Sequence, residues 1–269
     1  MLEVQKGFTG MADDAGSTAD GGSPTVATPT FQTVQRAAAI LSAFTVGRPR
    51  LRLNELTASL GTSKATAHRY TKALRESSLL RFDEREGVYS LGPKILNLSA
   101  AARAGMPVIG VAGQHMQQLV REVDETVVLT VWDGDSPVVV HVNDNTDRLV
   151  QVSVRTGSRL SHVESAQGKV FCAFLPPEMV PGLEQQLNAS RALRRELAAI
   201  RTDGVSANTP SVNGVRSIAA PVFRSASLIA SLAVVGTTSS VPEGTDSPVA
   251  AAVIRVAAMV TAELSREPT

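Results

Sequence analysis

Large apolar residues are sparse in the first 29 positions, where "DDAGSTADGGSPTVATPT" is built mainly of Gly, Ser, Thr, Asp and Pro. Such a stretch cannot repay the entropy of ordering, so residues 1–30 are expected to form a disordered leader. A helical period begins at Thr33, with Val34, Ala37, Ala38, Leu41 and Phe44 at i, i+3, i+4, i+7 and i+10, and Gly47 and Pro49 end it. Asn54 is expected to cap a short second helix carrying Leu56 and Leu60, with Gly61 supplying the turn after it. Ser63 then caps a third helix whose inward stripe is Ala67, Tyr70, Thr71 and Leu74. At 100° per residue, Ala65, His68, Arg69 and Lys72 fall on the opposite side, with Thr66 at the margin.

The period changes from helix to strand at "LLRFDEREGVYSLG", which predicts a strand over Leu80 to Asp83, a turn ending at Gly87 and a strand over Val88 to Leu91. Two helices hinged at a glycine and followed by a two-stranded ribbon form a winged helix-turn-helix, expected over residues 31–92. In the second half, "ETVVLTVWDGDSPVVVHVND" reads as a hairpin turning at Gly134 to Pro137, and "LVQVSVRTG" as a further strand. "ESAQGKVFCAFL" returns to helical spacing, "RSIAAPVF" and "LIASLAVVG" to strands, and "SPVAAAVIRVAAMVTAEL" closes the chain as a helix. Strands and helices mixed without regular alternation place residues 105–269 in the α+β class.

Charge adds a function to the first half. The 269 residues carry a formal net charge of only +1, but Phe31 to Ala104 holds 12 basic against 5 acidic residues, net +7. The segments before and after it are each net −3. A basic module on a mildly acidic body concentrates its field where phosphates must be neutralised. The third helix then reads as a recognition helix: Ser63, Lys64, Thr66, His68, Arg69 and Lys72 face the DNA, and Arg81 and Arg85 of the ribbon meet the sugar-phosphate backbone beside the groove. The chain has no apolar run near the ~18 residues of a membrane span and no apolar secretory core at its start, so no membrane partner is expected. The single cysteine, Cys172, excludes an internal disulfide, and a reducing cytoplasm is the expected location.

"FQTVQRAAAILSAF", "LNELTASLGTSKATAHRYTKALRESSLL" and "YSLGPKILNLS" resemble the N-terminal domain of the IclR-type bacterial transcriptional regulators. The resemblance continues through "GSRLSHVESAQGKVFCAFLP", "GVRSIAAPV" and "ASLAVVGTTSS", in the family's order, across roughly residues 31–265. It implies a linker helix at residues 93–104 and a GAF-like effector domain with a central antiparallel sheet over residues 105–269. It also implies a dimer joined largely through the DNA-binding domains, often paired into a tetramer, which binds a pseudo-palindromic operator in double-stranded DNA and answers a small-molecule effector.

The same resemblance locates the effector pocket, where this sequence departs from the family. Val163, Glu164 and Ser165 stand where a His-Ala-Thr/Ser run is common, before Ala166, Gln167, Gly168 and Lys169. Ser217 replaces a cysteine, Asn208 an aspartate, and Ala233 and Val235 two serines, while Leu149, Val152, Leu160 and Val215 match apolar wall positions. The pocket implied is more apolar and less charged than that of relatives binding very small keto acids, and suits a larger, for example aromatic, acid. The backbone N–H groups of Ala166 to Gly168, at a helix start, offer a seat for its carboxylate, with Glu164 opposing. The alternative is that these residues fill a core and no effector binds.

An enzyme is the rival class. His115, His141 and His162 share the second half with Cys172, but G-x-S-x-G, H-E-x-x-H and Cys/His metal spacings are absent, so no catalytic residue, metal or cofactor is assigned. Cys172 lies among large apolar residues as a buried, inert thiol, and His162 reads as a solvated or loop histidine.

Overall fold

A computed structural model describes residues 29–144, 152–208 and 214–266. Most of the expected leader, residues 1–28, and Leu149 therefore lie outside the described residues. The first element is helix α1 (Pro29–Ser42), followed by a two-residue strand β1 (Leu51–Arg52), α2 (Leu53–Leu60), α3 (Lys64–Glu76), β2 (Leu80–Asp83) and β3 (Val88–Leu91). The ribbon has the expected bounds, and β1, which the sequence pattern did not announce, pairs with β3 to give the antiparallel order β1-β3-β2. Ile40, Phe44, Leu51, Leu56, Tyr70, Leu74, Leu80 and Tyr89 form the core of this unit.

Two local expectations are corrected. Val34 is 65% exposed and Ala38 is exposed too, because α1 turns Ile40 rather than these residues into the core it shares with α2 and α3, with Phe44 buried just past its end. Asn54 lies inside the first turn of α2 rather than capping it. The Glu55 carboxylate reaches back to accept the Arg52 N–H at 2.8 Å, while Asn54 Oδ1 accepts from the Glu55 N–H. That backbone bond, aided by the Arg48 guanidinium at 2.6 Å, holds the Glu55 carboxyl below its usual range. Gly61 ends α2 at φ 58°, and the Ser63 hydroxyl caps α3 by accepting the Thr66 N–H, both as expected.

Helix α4 (Lys94–Ala104) links the two halves and buries none of its side chains. It bends by 76° into α5 (Pro107–Val123); no single helix among the described residues is long and apolar enough to cross a membrane. Beyond α5 come β4 (Thr126–Trp132), β5 (Pro137–Asn143), α6 (Ala166–Phe174), α7 (Leu183–Ala189), α8 (Arg191–Asp203), β6 (Ser206–Ala207), β7 (Val215–Arg224), β8 (Ser227–Thr237) and α9 (Pro248–Leu264). The strands form one antiparallel sheet in the order β5-β4-β8-β7-β6.

Strand alternation sorts the sheet's side chains between two layers. Val127, Leu129, Ile218, Ala220, Leu232 and Val234 pack into the main core with α5 and α9. Val128, Ala219, Ala233 and Val235 point to the other face, which α6 covers in part. The strand expected in "LVQVSVRTG" is not formed by its described residues, 152–157. Val152 and Val154 alternate apolar and polar as a strand would, but they lie across the sheet against Val128, Val139 and Val235. The position beside β5 is taken instead by residues 157–160, through Gly157 N–H to Val139 O and Leu160 N–H to Pro137 O.

Candidate functional site

The expected inward stripe of α3, Ala67, Tyr70, Thr71 and Leu74, is buried, which turns the cationic side outward. Lys64, His68, Arg69 and Lys72 are exposed and Thr66 is half-buried. The Arg69 guanidinium lies 5.8 Å from the Tyr70 ring centroid, close to the helix surface. Lys72 Nζ stands 4.0 Å from Glu76, an exposed i,i+4 pair worth little. The Ser63 hydroxyl donates to Thr66 Oγ1 at 3.0 Å, so its proton is spent within the cap and a phosphate, itself an acceptor, gains little from it. Arg81 and Arg85 are exposed on the ribbon, where Asp83 Oδ1 accepts the Arg85 and Glu86 backbone N–H groups and fixes the turn.

Two cations beside this face carried no sequence motif. Arg50, bound to Glu86 at 2.6 Å, joins Arg81 and Arg85 around a groove of about 630 Å³. Arg75 lies 5.2 Å from the Phe82 ring centroid, tying the end of α3 to β2. Arg75 belongs to the basic side of the third helix by sequence, but its contact with the ribbon, like the place of Arg50, depends on the fold.

In the second half, a cavity of about 450 Å³ opens on the sheet face that α6 covers incompletely. Seven expected residues line it: Val152, Leu160, Gln167, Asn208, Val215, Ser217 and Val235. Ala166 and Ala233 do not. Both are fully buried, Ala166 and Val170 on the inner side of α6 packing against Ala219 and Ala233 of the sheet, because that helix covers β8 at Ala233 and leaves it open at Val235. The Asn208 amide is spent on its own strand pair, donating to Val215 O at 3.1 Å and accepting the Ser217 N–H at 2.7 Å, so it shapes the wall.

The start of α6 is only partly free. Ser165 Oγ accepts the Gly168 N–H at 2.9 Å and Ser165 O accepts the Lys169 N–H at 3.0 Å, which leaves the N–H groups of Ala166 and Gln167 without helical partners. The Gly168 N–H is therefore no seat for an anion. Glu164 lines the cavity as anticipated, and Arg159 beside it makes the cavity more charged than expected. Arg159 is tied to the hairpin turn, with Asp133 at 2.8 Å and Ser136 Oγ at 2.8 Å, which offsets its charge. It went unnoticed because its partners lie 23 to 26 positions away.

Comparison with known proteins decides the class. Residues 33–84 match the IclR helix-turn-helix domain, and residues 100–262 match the family described as bacterial transcriptional regulator IclR C-terminal. This chain belongs to the IclR family. It is thus a DNA-binding transcriptional regulator and not an enzyme. An HTH-type transcriptional regulator of Mycobacterium tuberculosis, Rv1719, is 32% identical over 185 residues, 65% of this chain and 70% of that protein. The fold matches an IclR family transcriptional regulator from Brucella abortus with a TM-score of 0.74 at 21% identity, over 86% of this chain and 92% of that one. It also matches an IclR homolog from Microbacterium hydrocarbonoxydans complexed with 4-hydroxybenzoate, with a TM-score of 0.69 at 20% identity, over 87% and 100%.

In this IclR regulator the titratable residues of the second half are dispersed. No group of His, Cys, Asp and Glu that could hold a metal ion exists among the described residues. His115 pairs with Glu263 at 2.8 Å, whereas burial and then the nearby Arg103 push the pKa of His141 down. Desolvation pushes the Cys172 thiol up to about 12, and its Sγ donates to His162 O at 3.2 Å. His162 lies in the turn before α6, but its Nε2 is buried and has no partner among the described residues, so it is not solvated.

Proposed function

We propose that this IclR regulator reads its operator with residues 31–92, transmits through residues 93–104 and senses an organic acid with residues 105–269. The observation that carries the DNA half is the exposed row Lys64, His68, Arg69 and Lys72 on α3, flanked by Arg81 and Arg85 on the ribbon. Arg69, near the middle of that row, reaches a base edge in the major groove, while Lys64, Lys72 and Arg85 act on phosphates. Two copies set two such helices into successive grooves of a pseudo-palindromic site. Exposed apolar residues on the linker, Leu96 at 73% and Leu98 at 51%, support assembly into a dimer or tetramer, because such side chains gain by being covered.

The effector seats its carboxylate at the Ala166 and Gln167 N–H groups and lays its body along Val152, Leu160, Val215 and Val235. The cavity volume fits an aromatic acid, and 4-hydroxybenzoate bound to the Microbacterium homolog supports that class. Ligand occupancy changes the spacing of the recognition helices and so the affinity for the operator. As a soluble DNA-binding regulator it acts in the cytoplasm. A mobility-shift assay on DNA upstream of its own gene tests this, with and without small carboxylic and aromatic acids. A specific shift that one class of acid alters is expected. Binding that does not distinguish this DNA from random DNA, or that no acid alters, overturns the corresponding half of the reading.

A further inference from the structure

A second cavity, of about 310 Å³, lies at the other end of β4 from the first. Strand β4 begins at Thr126, which pairs with Val235 beside the first cavity, and ends at Trp132, which lines the second. Six residue steps at about 3.3 Å put the two some 20 Å apart along the strand. They also open toward different layers, since Val131 and Ile229 of the second cavity pack against the α5 and α9 core.

The composition of the second cavity is specific. Met106, Val108, Val131, Ile229 and Leu264 make apolar walls, Trp132 borders the hollow while its ring packs on Phe171 at 5.6 Å, and Arg224 is the one charged residue among the described lining residues. Arg224 is half-buried and has no hydrogen bond or ion pair among the described residues, whereas Arg159, Arg216 and Arg255 of the same sheet-and-helix body are all paired. A cation kept partly out of water and without an anion among the described residues, at the edge of an apolar hollow, is complementary to an amphipathic anion.

We infer that this cavity is a second ligand site, for a monocarboxylate with a compact apolar body. The carboxylate pairs with Arg224, and the body lies against Met106, Val131 and Ile229. Gly105, Met106 and Pro107 form part of the lining and are also the 76° bend between α4 and α5, so an occupant sits in the angle through which the DNA-binding half joins the sensor. It acts on the linker without entering the first cavity.

Trp132 is the chain's only tryptophan and borders the hollow, so its emission is sensitive to occupancy there. The full chain is titrated with 4-phenylbutyrate, with the neutral 4-phenylbutanamide as control. A saturable change in emission is expected for the acid. Arg224→Gln should weaken the acid about tenfold or more while leaving the amide unaffected. Val131→Phe, which fills the hollow, should abolish both responses, and Val235→Phe, in the first cavity, should leave the Trp132 titration intact. Loss of the acid response in Val235→Phe would mean that the acid occupies the first cavity, and the proposal falls. It falls equally if the wild-type chain gives no saturable change or if Arg224→Gln binds the acid as tightly. Sedimentation velocity on the same samples checks the remaining occupant. Trp132 emission that follows protein concentration rather than acid, with Arg224→Gln altering the oligomeric state, would make the hollow a contact between copies and overturn the ligand site.

Discussion

Gly168 lies in the first turn of α6 with its Cα facing the chain that leads into the cavity. A Cβ added there would sit 2.5 Å from His162 Cα and closer still to Ser161 O. Carbon atoms rest at about 3.5 Å or more, so the 161–162 backbone or the helix must move by roughly 1 Å. Backbone cannot swing aside as a side chain can, so the cost belongs at the upper end of overpacking, about 3 kcal/mol. Replacing glycine by alanine in a helix returns up to about 1 kcal/mol, leaving Gly168→Ala less stable by about 2 kcal/mol. Gly110→Ala in α5 is the matched control, because nothing lies within 4 Å of its added Cβ and only the propensity gain remains. Urea unfolding should therefore lower the midpoint for Gly168→Ala and raise it slightly for Gly110→Ala. The displaced residues include Ser161, and its neighbours Glu164, Ser165 and Gln167 line the cavity too, so the effector response should weaken as well. A Gly168→Ala protein as stable as Gly110→Ala would refute the close packing of α6 on this turn.

On the DNA face, Arg69→Ala should relax sequence preference by about 1 to 3 kcal/mol, whereas Arg85→Ala should weaken all sequences alike and flatten the salt dependence. Equal losses on specific and random DNA for Arg69→Ala, in a salt-titrated mobility shift, would remove its base-reading role. Ala233→Phe should cost about 3 kcal/mol in thermal or urea unfolding, because Ala233 is packed beneath α6. Val235→Phe should fold, bind DNA and lose ligand-induced stabilisation, and the reverse ranking would move the pocket. Cys172 titrates near 12 in the fold against about 8.5 unfolded, so the unfolded chain loses this proton first and stability falls as pH rises above about 8.5. At pH 9.5 the difference from pH 7.5 should be about 1.4 kcal/mol larger in wild type than in Cys172→Ala, and identical slopes would contradict the buried thiol.

The helices and ribbon of the winged helix were legible because most of their signals are local. A glycine at φ 58°, a serine cap and a 3.6-residue apolar stripe each act within a turn or two, and together they set which side of α3 carries the cations. The cavity was legible only where alternation decides orientation. Alternation placed Ala233 and Val235 on the same face of β8, but which one α6 covers depends on where that helix docks, information that is not local to either strand. The same limit explains Val152 and Val154, whose strand-like pattern records a buried side without saying whether sheet edge or sheet face buries it. Arg159 was hidden more completely, since its identity as a wall residue rests on an ion pair closed across the β4–β5 hairpin turn.

How occupancy reaches the DNA is constrained by what the linker lacks. Helix α4 buries no side chain, so within one chain it has no packed interface that could settle into two alternative arrangements. Its polar tie to the sensor is Arg103, whose guanidinium donates to Val140 O on β5, beside the half-buried His141. Strand β5 is the edge of the sheet, and its other side is held by the chain of residues 157–160 that leads to the first cavity through Leu160. A ligand that shifts Leu160 therefore pulls on the same strand that anchors the last turn of α4. The second cavity meets that helix one residue further on, at Gly105. Both routes converge on the α4–α5 bend, which makes that junction, rather than the length of the linker, the element whose geometry an effector has to change.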